Sequence, residues 1–74
     1  MAWGYNIHLV PTSAEDWAIV EEVTGRDLGH YETFSEAESV ARKTARRRRV
    51  QLVVHRLGQV DTVDFRPWYL RWFG

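Results

Sequence analysis

Polar and apolar positions alternate through residues 5–10, with Tyr5, Ile7 and Leu9 on one side and Asn6 and His8 on the other. A period of two predicts a half-buried strand. Pro11 closes it, and residues 12–16 read as a turn. Residues 17–23 predict a second strand, apolar at Trp17, Ala18, Ile19 and Val20 and acidic at Glu21 and Glu22. Residues 24–29 predict a loop, in which Gly25 and Gly29 are free to take positive φ. A short third strand follows at residues 30–32.

The period then changes to that of a helix. Thr33-Phe34-Ser35-Glu36 has the spacing of a capping box, in which a threonine hydroxyl accepts from the amide three residues on. Ala37, Val40, Ala41, Thr44 and Ala45 fall on one face. Their side chains are small, so the helix is expected to lie close on a sheet. Acids begin this helix and arginines end it, which suits the helix dipole at both ends, and Glu38 precedes Arg42 by one turn. The helix must close near Arg49, with no glycine there to take a left-handed conformation, so strain is expected at that residue.

Residues 50–55 predict a fourth strand, and Leu52, Val53 and Val54 are consecutive, so both of its faces need cover. Leu57-Gly58 predicts a tight turn into a fifth strand at residues 59–65. The order βββ-α-ββ implies an α+β fold: an antiparallel or mixed sheet with one helix on one face. Residues 1–65 form the expected compact domain, and residues 66–74 an aromatic tail that packs on the domain or on a partner chain. Trp68 and Trp72, like Tyr69 and Phe73, are spaced to share a helical face.

A chain of 74 residues leaves room for one domain. Such a chain buries only about 60% of the surface its unfolded form exposes, and self-association is one remedy. Cysteine is absent, which excludes disulfides, thiolate metal sites and thiol nucleophiles. With neither a signal-peptide pattern nor an apolar run long enough for a bilayer, the expected compartment is the cytoplasm, without membrane contact. The zero net charge conceals a division: residues 1–41 carry eight acids against Arg26, and residues 42–74 carry nine bases against Asp61 and Asp64. Either the halves neutralise one another, in the fold or in a dimer, or a charged partner does so.

Some of these residues also occur together in a known family. Val10-Pro11, Trp17-Ala18-Ile19-Val20, Thr33-Phe34-Ser35-Glu36-Ala37, Ala41-Arg42 with Ala45-Arg46, Leu52-Val53-Val54-His55, Gly58 and Val60 occur in order. The set resembles a small bacterial family known as domain of unknown function 2188, over about two thirds of the chain. The resemblance implies a compact strand-helix-strand domain and supplies no catalytic residues. Asp16 and Arg49 stand where that pattern often has glycine, and the aromatic tail has no counterpart in it.

The candidate chemistry is sparse. Arg42, Lys43, Arg46, Arg47 and Arg49 could contact phosphates of a nucleic acid, with salt-dependent affinity, or could simply be a solvated helix end. Trp68, Tyr69, Leu70, Trp72 and Phe73 are candidate interface residues, equally able to complete the protein's own core. His8 and His55 fall on the outer face of their strands and become neighbours if those strands pair, but two imidazoles make no metal site. His30 belongs to a loop edge, and Glu21, Glu22, Asp61 and Asp64 read as strand-surface acids. Ser13, Ser35 and Ser39 lack a base placed by motif, and no glycine-rich phosphate loop is present. The sequence therefore predicts no enzyme, cofactor, metal or small-molecule substrate. It predicts an interaction module, homodimeric through an open sheet face and the tail, with a protein partner or nucleic acid as further candidates.

Overall fold

The computed structural model describes residues 4–67. The element order is β1 (Ile7–Ser13), β2 (Asp16–Glu21), β3 (Asp27–Tyr31), α1 (Phe34–Arg48), β4 (Gln51–Arg56) and β5 (Gln59–Asp64). The five strands form one mixed sheet in the order β3-β2-β1-β4-β5. Only β1 and β4 run parallel, and the other neighbours are antiparallel. The fold is the expected α+β arrangement, with the helix packed on one sheet face. Among the described residues no helix is long and apolar enough to cross a membrane.

The helix rests on β1, β2, β3 and β4 through its alanines. Ala37, Ala41 and Ala45 are fully buried against Ile7, Leu9, Ile19, Leu52 and Val54, and these small side chains let the helix backbone sit low on the sheet. Burying each of the larger aliphatic side chains contributes about 1.5–3 kcal/mol. Thr33 caps the helix, its hydroxyl accepting from Glu36 N. The other end closes on Arg49, at φ 56° and ψ 48°. Arg49 N donates to Arg46 O and Val50 N to Ala45 O, the two bonds of a Schellman close.

Three strands, β1, β2 and β3, differ from the sequence reading by two residues or more at an end. β1 runs through Pro11 to Ser13. Asn6 O accepts from Glu22 N, so backbone alternation turns residue 11 toward β4, where pairing has already stopped at Leu9 and Val54. The missing proline N–H therefore costs no ladder bond. β3 begins at Asp27, inside the expected loop, because a register shift between Ile19 and Val20 brings Asp27 opposite Val20. β2 ends at Glu21, and Val23 lies in the following turn at φ 74°.

Candidate functional site

Strand alternation divides the sheet into two faces. Ile7, Leu9, Ile19, Leu52 and Val54 lie beneath the helix. His8 and Val10, Ala18 and Val20, His30, Val53 and His55, and Val60 and Thr62 take the opposite face by register. Val10, Val20 and Val53 are half-buried there, and Val60 is 62% exposed. All three histidines of the chain are on this open face.

The parallel pairing of β1 with β4 brings His8 and His55 together. His8 Nδ1 and His55 Nε2 are 2.8 Å apart, with ring centres 5.1 Å apart. Nitrogens that close between centres that far apart point at one another along a line, so the contact is a hydrogen bond rather than face stacking. The other nitrogen of His8 lies 3.0 Å from Glu22 Oε1. Asn6 Nδ2 donates to Glu22 Oε2 at 3.1 Å, and Gln51 N donates to Asn6 Oδ1 at 3.0 Å. A carboxylate can only accept, so His8 Nε2 donates to Glu22 Oε1. His8 Nδ1 and His55 Nε2 share one hydrogen between them.

A second polar group clamps the β3 edge. The His30 ring lies between Asp16 and Asp27, with Nδ1 2.8 Å from Asp16 Oδ2 and Nε2 against Asp27 Oδ2. Hydrogen bonds to Asp16 and then Asp27 raise the His30 pKa above the usual histidine range. Asp16 is lowered by the Thr12 hydroxyl and by His30, and Asp27 by the Gly29 amide and by His30. His30 is thus a strand residue held between two carboxylates, not part of a loop edge.

The basic end of the helix is mostly exposed, and several of its arginines make contacts within the molecule. Arg42 pairs with Glu38 at 3.6 Å, and Arg46 lies over the Phe65 ring at 5.4 Å. Arg49 follows the last helical residue as the left-handed cap. Lys43 and Arg47 are exposed on the outer side of the helix. Arg48 turns inward and donates to Glu21 Oε2 at 2.8 Å. Glu21, read from the sequence as a surface acid, is buried under the helix; the Thr24 hydroxyl and Arg48 hold its pKa below the ordinary range. At the far end of β5, Arg66 grips Asp64 and pulls its pKa down to about 2.

Sequence reasoning missed a cleft of about 870 Å³ between the β1–β2 and β4–β5 turns. Trp17 and Phe34 meet edge to face at 4.9 Å in its wall, and Arg56 covers the Phe34 ring at 4.0 Å. The exposed Leu57 is at its rim. The apolar residue Phe34 at the start of the helix was the available signal. The candidate interface residues Trp68, Tyr69, Leu70, Trp72 and Phe73 lie outside the described residues.

Neither the curated proteins nor the solved structures contain a match to this chain. The model of a family described as "uncharacterized protein conserved in bacteria (DUF2188)" matches residues 7–64. That span runs from the first residue of β1 to the last of β5 and takes in Glu22, His8 and His55. The chain belongs to this family of bacterial domains.

Proposed function

We propose that the protein is a non-enzymatic interaction module of the cytoplasm that closes its open sheet face against a second copy of itself. The observation carrying this reading is the set of four valines, Val10, Val20, Val53 and Val60, interleaved with His8 and His55 on the sheet face opposite α1. Val53 lies between Leu52 and Val54, both buried beneath the helix, yet remains half-exposed. Five strands about 4.8 Å apart and roughly six residues long present about 500 Å² per copy. Two such faces bury about 1,000 Å² together, the lower bound for a stable interface. The charges around the face are already paired, His30 with Asp16 and Asp27 and Asp64 with Arg66, so closure need strand none of these.

Light scattering coupled to size exclusion tests the reading. We expect a dimer at micromolar concentration and a folded monomer for Val53→Lys, which puts a charge in the middle of the contact. A wild-type protein that stays monomeric to millimolar concentration refutes the reading.

A further inference from the structure

We propose that the cleft between the β1–β2 and β4–β5 turns holds a segment of a partner protein that presents an aromatic side chain beside a carboxylate. The proposal is independent of the dimer reading, which concerns the opposite face of the sheet.

The cleft exists because the helix does not reach the end of the face it covers. Leu9, Ile19 and Val54 form a row across β1, β2 and β4 and are buried beneath the helix. Two positions nearer the end of the sheet, alternation puts Pro11, Trp17 and Arg56 on the same inner face, and Pro11 pairs with Trp17. The helix begins at Phe34, so this last row is left lining an open cleft. Trp17 and Phe34 are half-buried there, and Leu57 in the β4–β5 turn is wholly exposed.

The chemistry of the occupant follows from Arg56, the one charged residue lining the cleft among the described residues. Its guanidinium lies 4.0 Å from the centre of the Phe34 ring. Arg42, Arg48 and Arg66 each hold a carboxylate of this chain, whereas among the described residues Arg56 holds none. A guanidinium stacked by its face keeps the N–H groups along its edge, and these suit the two oxygens of a carboxylate. Stacking also fixes the fork in advance, so less freedom is lost when the anion arrives. Beside it, Trp17 and Phe34 offer apolar surface for a ring, and aromatic and arginine side chains are the usual anchors of protein contacts.

The shape of the cleft favours a polypeptide over a free small molecule. Small-molecule sites enclose most of their ligand. Here Pro11, Arg56, Leu57 and Gln59 are all exposed, so a small ligand would be covered on one side only. A polypeptide laid across the rim also covers Leu57. The chain's own residues 68–73 are a poor match in charge, since they include Arg71 and no acid.

The test is a nitrogen–proton NMR titration of the full chain with a blocked tetrapeptide in which tryptophan precedes glutamate. The Trp17 indole, the Arg56 Nε–H and the amides of residues 57–59 should shift together, with a dissociation constant on the order of 1 mM. Replacing the peptide glutamate by glutamine should weaken binding about three- to fivefold, as befits an exposed ion pair. Arg56→Gln should abolish that difference and bind both peptides alike. Leu57→Ser, at a wholly exposed site, should weaken both. Indole acetate, which has the same two groups without a backbone, should bind less tightly than the peptide. Absence of shifts at these residues, or equal affinity of the wild type for the two peptides, overturns the proposal. So does tighter binding of indole acetate, which would make the cleft a small-molecule pocket. Light scattering of Arg56→Gln tests the remaining occupant: loss of a wild-type dimer would mean that a second copy fills the cleft, and overturns the proposal as well.

Discussion

Arg49 and Val23 are the two non-glycine residues with positive φ among the described residues, at 56° and 74°. A Cβ in that region meets the carbonyl that follows it, at a cost of about 1–2 kcal/mol. Arg49 is fixed there because Val50 must return beneath the helix, its amide bonded to Ala45 O. Val23 is β-branched and exposed, so its side chain offers little packing in return. Thermal melts should show Val23→Gly stabilised by about 1 kcal/mol, a shift of about 4–8 °C in a domain this small. Arg49→Gly should gain less, because it also removes a side chain that makes a contact of its own. The opposite effect is expected where the helix covers an acid. Arg48→Ala leaves the Glu21 carboxylate without its cation, and should lower the midpoint of chemical denaturation. Arg48→Lys should recover part of that loss, which a role in packing alone would not predict.

At the scale of elements, the helix was the most legible part of the chain, since the threonine cap, alanine face and strained close at Arg49 are all local. The double-sided apolar run in β4 was legible for the same reason. Pairing was not. Nothing local to residues 7–13 says that β1 carries on through Pro11, since that depends on where β4 stops. Nothing local to Asp27 or Gly29 marks them as strand, because the register shift in β2 decides it. The candidate site shows the same division. Alternation alone puts His8 and His55 on the outer face, but Glu22 joins them only through the β1–β2 register, and Glu21 falls on the inner face by one position. The arginine cluster is legible as composition, and the structure adds that Arg42, Arg46 and Arg48 contact Glu38, Phe65 and Glu21. We therefore expect no complex with single- or double-stranded nucleic acid at physiological salt. Residual binding through Lys43 and Arg47 at low salt should show a log–log salt slope of about −2. A steep slope with tight binding would restore the cluster as a nucleic-acid surface.

For the whole molecule, the acidic first half and basic second half meet inside the fold. Glu21 pairs with Arg48, and Glu38 with Arg42, across the division. The fold thereby ties its stability to pH, and the sign can be followed group by group. Asp16, Glu21, Asp27 and Asp64 all have lowered pKa values in the folded protein, Asp64 to about 2. The stabilisation from each is present above its unfolded pKa near 4 and is lost as pH falls through the lowered value. His30 has a raised pKa, so its contribution is complete below its unfolded value near 6.5 and is lost as pH rises through the folded one. Urea midpoints measured from pH 2 to 9 should therefore peak between about pH 5 and 6.5, fall steeply below pH 4 and decline gently on the alkaline side. His30→Gln should flatten the alkaline limb and lower the peak, because Asp16 and Asp27 then face each other without the imidazolium between them. Asp64→Asn should leave the alkaline limb alone and shorten the acid one, most visibly between pH 2 and 4, where the Arg66 contact keeps Asp64 charged. An alkaline limb unchanged in His30→Gln would mean that the clamp on β3 carries no stability, and that the edge strand is held by its ladder to β2 alone.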